Sequence, residues 1–275
     1  MSNVSFAFLL TVIAGTATGV GGLFALFSKR MSKKFLSICL SVSAGVMLYI
    51  SFAEILLEAF KDLEYALGNG MGYLATTAAF FGGILIVAAI DKFVPHYDEV
   101  VDLKEGAKQG DSNEIVEKDK KELKRTGVMA AIAIATHNLP EGIVIFMAAL
   151  HDPALGVAIA IAIILHNIPE GIATSAPIFY ATGSRLKAFL YAFTTGYVQV
   201  IGALVAWFLM RNVFDDMNAV FGIAFGVVAG IMVYVAIHQL LPAARKFGEH
   251  HVVMRWLFVG MAIMAFSLVV LEFVF

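Results

Sequence analysis

Two heptapeptides carry most of the chemistry available to this 275-residue chain. His137-Asn138-Leu139-Pro140-Glu141-Gly142-Ile143 returns 29 residues later as His166-Asn167-Ile168-Pro169-Glu170-Gly171-Ile172, with one position changed. Residues three and four apart share a helix face. His137 therefore aligns with Glu141, with Asn138 beside them, and His166, Asn167 and Glu170 repeat the pattern. Each proline lacks a backbone N–H, so Pro140 frees the carbonyl of Thr136 and Pro169 that of Leu165. The expected kinks open the helix ladder at membrane depth, where freed carbonyls are tolerated if they line a cavity. The glycines after each Glu allow close backbone approach.

Such a set suits a divalent cation. A carboxylate inside a bilayer costs at least ~2.5–3.5 kcal/mol on insertion scales, and two on adjacent helices repel. One M2+ ion neutralises both, and two imidazoles complete four ligands. This N2O2 set fits zinc and, with added water or amide oxygen, Fe(II), Mn(II), Co(II) or Cd(II). Without thiolate, it can also release its ion. The plainer reading, polar residues tying helices together by hydrogen bonds, fits one buried His better than two matched copies of the motif.

The elements holding the motifs are membrane helices. Hydrophobic residues make up 60% of the chain and charged ones 15%, against about 25% charged in soluble domains. Windows of about 20 apolar residues predict eight spans in a single domain covering 1–275, near 4–27, 35–58, 72–94, 127–150, 153–178, 186–210, 218–241 and 253–275. No basic residue precedes the first apolar run, so it reads as a retained span and not a signal peptide. Residues 96–126 form the one sustained hydrophilic stretch, rich in Asp, Glu and Lys, and read as a solvated linker. Seventeen of the 19 Lys and Arg residues fall on one side of this arrangement, with Lys61 and Arg211 opposite. The positive-inside rule makes the majority side cytoplasmic and puts both termini outside.

Weaker repeats flank the motifs. Ala44-Gly45-Val46-Met47-Leu48-Tyr49 returns as Ala229-Gly230-Ile231-Met232-Val233-Tyr234, an offset of 185. An offset of 181 pairs Gly15 with Gly196 and Gly21 with Gly202. Spans 1 and 2 thus resemble spans 6 and 7 but run the opposite way, as in transporters built from inverted repeats.

The doubled HNxPEG motif in consecutive spans resembles the ZIP (Zrt/Irt-like) metal transporters, especially their bacterial zinc-transporting type. Ser175-Ala176-Pro177, Ala181-Thr182-Gly183-Ser184 and Ile201-Gly202-Ala203-Leu204-Val205-Ala206-Trp207 add to the likeness, which covers essentially the whole chain. It implies an all-α fold of eight transmembrane helices in a 3+2+3 arrangement, the motif helices central, often as a homodimer in the cell (inner) membrane. It also implies a first metal site of His137, Glu141, His166 and Glu170. An adjacent second site would use Asn138, Asn167 and the same two glutamates. Where this type completes the second site with a Glu in span 6, this chain has Gln199, whose neutral amide ligates without adding charge. Gln239 likewise stands where relatives often carry an acidic residue.

Further candidates are Glu54 at the outer end of span 2, and Asp91 with His238 as an exit relay. Others are Glu249, His250 and His251 in the last cytoplasmic turn, and His96, Asp98 and Glu99 at the start of the long loop. His151 and Asp152 read as helix caps. The lone Cys39 reads as packing. The expected function is uptake of divalent metal, zinc first, into the cytoplasm. Its partners are the metal ions and the lipid bilayer. No basic stripe with interleaved aromatics suggests nucleic acid, and no Walker motif suggests ATP drive. The competing class is a membrane-embedded zinc-dependent hydrolase, which the absence of HExxH and of a nucleophile elbow disfavours.

Overall fold

The chain folds into packed α-helices in a computed structural model that describes residues 3–27, 33–92, 135, 138–212 and 217–274. In chain order these are α1 (Asn3–Phe27), α2 (Lys33–Ile50), α3 (Leu56–Leu67), α4 (Asn69–Asp91), α5 (Asn138–His151), α6 (Pro153–Thr182), α7 (Arg185–Asn212), α8 (Met217–Tyr234), α9 (Leu241–Phe247) and α10 (His250–Val274). Seven runs among the described residues are long and apolar enough to cross a membrane, and α5 is a shorter apolar helix. The molecule is an all-α, multi-span membrane protein. The expected fourth span, 127–150, is described only at Ala135 and from Asn138 onward. The long loop falls outside the described residues.

Helix length follows packing as well as hydropathy. The second run continues past residue 58 to Leu67 because α3 is amphipathic: Ala59, Asp62 and Leu63 are buried on one face, and that face packs on α8. It stops at Gly68, whose φ of 82° a side chain disfavours. The run α6 reaches Thr182, where left-handed Gly183 returns its N–H to the Phe179 carbonyl at 2.8 Å, a common helix stop. Asp152 caps the other end of α6, its Oδ1 accepting from Ala154 N at 2.7 Å, and Pro153 occupies the first turn, where its missing N–H costs nothing. Two π-helical segments interrupt long runs, Ser51–Ile55 between α2 and α3 and Val235–Leu240 between α8 and α9. The repeat offset of 185 carries the first onto the second.

The helix α6 lies at the centre. In its most apolar stretch 67% of the residues are buried, against 17% in α4 and 22% in α10, which form the rim. On α4, Tyr73, Leu74, Phe81 and Leu85 are exposed, as lipid-facing side chains must be. Around the centre α1 packs on α6 and α7, α2 on α6 and α10, and α4 on α8.

The closest approaches are made by glycines of the motifs. A Cβ on Gly142 would collide with the Gln199 carbonyl, and one on Gly171 with the Thr18 carbonyl. Gly202 abuts the Leu139 carbonyl, and Gly21 abuts that of Ile168. Backbone meets backbone in each case, so nothing flexible can give way. Overpacking typically costs 1–3 kcal/mol. Gly142→Ala and Gly171→Ala should therefore each lower the thermal midpoint in detergent by several degrees. Gly82→Ala, which meets nothing within 4 Å, should hold or slightly raise it.

Candidate metal centre

The polar motif residues whose side chains are described are fully buried. Asn138 and Glu141 on α5, His166, Asn167 and Glu170 on α6, and Gln199 on α7 are all 0% exposed. His166 Nε2 lies 3.1 Å from Glu141 Oε1, a contact that joins the two motifs across α5 and α6. Gln199 Nε2 donates to the other oxygen, Glu141 Oε2, at 2.8 Å. Glu141 is thus held from both neighbouring helices. His137 lies outside the described residues, and so does Thr136.

Each motif Asn turns its nitrogen outward. Asn138 Nδ2 donates to the Thr195 carbonyl on α7 at 2.8 Å, and Asn167 Nδ2 donates to the Ala14 carbonyl on α1 at 2.9 Å. This fixes the amide flip from the backbone partner and leaves each Oδ1 facing the other way. Asn138 Oδ1, Asn167 Oδ1 and Gln199 Oε1 are buried without a hydrogen-bond partner among the described residues. Buried polar atoms of that kind are rare and costly. Of these, Gln199 Oε1 belongs to the amide bound to Glu141, and Asn138 lies one turn before Glu141 on α5.

Residues 4–268 match the ZIP Zinc transporter family. The chain is 51% identical over 274 residues to "Zinc transporter ZupT" of Nitratidesulfovibrio vulgaris, 97% of each chain being covered. It is 48% identical over 266 residues to the protein of the same name from Chlorobium chlorochromatii, again with 97% of each covered. The Clostridium perfringens protein of that name is 47% identical over 281 residues, covering 98% of this chain. The chain belongs to the ZIP family. It is accordingly a transporter of divalent metal ions and not an enzyme, and the competing hydrolase is set aside.

The other candidates of this ZIP chain divide clearly. Asp91 accepts from Tyr234 Oη and from Gln239 Nε2, each at 3.0 Å, and His238 Nδ1 stands 3.4 Å away. The neutral amide of Gln239 is here a donor to the Asp91 carboxylate. Glu54 borders an open pocket with Glu58, Lys61 and Asp152. His251 and Glu249 form an exposed pair at 3.3 Å. His96, Asp98 and Glu99 lie outside the described residues. Cys39 is half-buried against the core. Asp152 is the helix cap expected, but His151 is not a cap. Its Nε2 faces Glu58 Oε1 at 3.6 Å and Asp62 Oδ1 at 3.5 Å. The i, i+4 spacing of Glu58 and Asp62 was the signal available in the sequence.

A hydrogen bond to a charged group contributes about 1.5–3 kcal/mol. Gln199→Leu, which strips that bond from Glu141, should lower metal-free stability by an amount in this range. Added zinc should recover part of the loss by taking over the carboxylate charge. Thermal unfolding with chelator and with zinc checks both.

Proposed function

We propose that this protein imports Zn2+ into the cytoplasm through a site of His137, Glu141, His166 and Glu170. Fe2+, Mn2+, Co2+ and Cd2+ are the next substrates its donor set suits. The observation that carries the reading is the His166–Glu141 contact, which brings ligands of the two motif copies to one point. Asn138 and Asn167, with the same glutamates and Gln199, form a second and weaker position. Its ligands are mostly neutral oxygens, and Gln199 adds no charge where a Glu would. An ion held there is bound less tightly and moves on more readily. Asp91 and His238 then act as an exit relay on the cytoplasmic side.

The architecture of this reading is a 3+2+3 inverted repeat around α5 and α6. Paired contacts support it. Asn138 reaches Thr195 and Asn167 reaches Ala14, and the offset of 181 relates Ala14 to Thr195. Gly142 packs on Gln199 and Gly171 on Thr18, related by the same offset. Gly45 abuts the Leu257 carbonyl while Gly230 abuts that of Phe80, and Gly83 abuts Val227 while Gly260 abuts Val42. Each contact thus has a counterpart in the other half. Substrate sites of such transporters lie at the repeat interface near the midplane. The charge asymmetry supports termini outside and residues 96–126 inside the cytoplasm. A homodimer in the cell membrane, with lipid around the rim, completes the assembly.

The direct test is zinc-65 uptake into proteoliposomes, comparing the protein with a Glu141→Ala, Glu170→Ala double variant. Saturable uptake by the first and none by the second is expected. Equal uptake by both would refute the site. Imidazole must be neutral to ligate, and its ordinary pKa is near 6.5. Protonation therefore competes with metal as pH falls, and uptake should decline between pH 7 and 5. A steady rise over that interval would contradict it.

A further inference from the structure

A second group of metal-ligand side chains lies outside the motif helices' centre, at the His151 end of α5. Glu58 and Asp62 are one turn apart on α3 and point the same way. His151 ends α5, about 15 Å along the helix axis from Glu141. The ligand atoms of the three residues all lie within 4.8 Å of one another. We infer that Glu58, Asp62 and His151 form a binding site for a divalent transition metal of the zinc class, separate from the HNxPEG site. The inference does not rest on the transport reading.

The distances favour a shared ion over a hydrogen-bonded trio. The separations from His151 Nε2, 3.5 Å to Asp62 Oδ1 and 3.6 Å to Glu58 Oε1, exceed the 2.7–3.2 Å of an N–H···O bond. Two ligand atoms each about 2.0–2.1 Å from a tetrahedral zinc stand about 3.3 Å apart. The three ligand atoms, all within 4.8 Å of one another, would draw together to share one ion. Asp62 supplies a second, independent observation. It is 6% exposed, and its Oδ2 is buried with no hydrogen-bond partner among the described residues. A buried carboxylate with one oxygen facing His151 and the other without a partner is costly, and an ion at the cluster would remove that cost.

Charge and access fit the same occupant. Two carboxylates balance a 2+ ion, and the imidazole selects zinc-class metals over Mg2+ and Ca2+. Aromatic contacts fix the imidazole, whose ring centroid lies 4.9 Å from that of Phe221 and 6.3 Å from that of Phe225. Glu58 also borders an open pocket of about 300 Å³ whose rim carries Glu54, Asp152 and Lys61. The net negative rim concentrates cations. Lys61 Nζ holds Glu58 Oε2 at 2.8 Å, which leaves Oε1 for the metal.

The test uses purified full-length protein carrying Glu141→Ala and Glu170→Ala, equilibrated with zinc and assayed by elemental analysis after dialysis. One retained zinc per chain is expected, unaffected by millimolar Mg2+ or Ca2+ and lost when Asp62→Asn or His151→Gln is added. The same two substitutions in the otherwise native chain should each lower the zinc count by one, which keeps the test open if the combined variants fold poorly. Zinc K-edge absorption of the retained ion should show one imidazole among oxygen ligands. No retained zinc, retention indifferent to both substitutions, or a spectrum without imidazole would overturn the site.

Discussion

The buried carboxylate of Glu141 is the constraint on which the rest of the centre depends. A charge at that depth cannot be left to lipid, and the chain answers it from two sides, with the His166 imidazole from α6 and the Gln199 amide from α7. Both groups must come within hydrogen-bond reach of one side chain, so three helices must cross at close quarters. The motif glycines make that possible. Gly142 brings α5 onto the backbone of Gln199, and Gly171 brings α6 onto that of Thr18. The glycine after each Glu is therefore the packing condition for the chemistry of the residue before it.

The asparagines serve the same end differently. Their nitrogens dock on the carbonyls of Thr195 and Ala14, anchoring each motif to a flanking helix. Their oxygens remain turned away from those partners. A structural amide of this kind would ordinarily satisfy both ends. Asn138 Oδ1, Asn167 Oδ1 and Gln199 Oε1 are buried without a partner among the described residues, and an ion in the proposed second position would supply one.

The doubled motif was legible because helical spacing alone brings His and Glu to one face, and because its repetition made coincidence implausible. Gln199 could be named from the resemblance, but its bond to Glu141 could not, since nothing local relates α5 to α7. The offset of 185 pairs Gly45 with Gly230, and each abuts a backbone carbonyl, that of Leu257 and that of Phe80. The π segments were invisible, for Ser51–Ile55 and Val235–Leu240 differ from α-helix in backbone winding and not in composition. The end of the second run misled for a definite reason. Glu58, Lys61, Asp62 and Glu64 look like a solvated helix end, yet Ala59, Asp62 and Leu63 form a buried face. His151 resembles a cap in the sequence because its partners, Glu58 and Asp62, lie on a helix far away along the chain.

Locating the ion is the most direct test of the doubled motif as a metal centre. Crystals grown or soaked with Zn2+ and measured at the zinc absorption edge should give an anomalous peak between α5 and α6, within bonding distance of His166, Glu141 and Glu170. Displacement of the Gln199 amide nitrogen from Glu141 should accompany it. A fully occupied zinc elsewhere, with the His166–Glu141 and Gln199–Glu141 contacts unchanged, would mean that these residues bind each other and not the cargo.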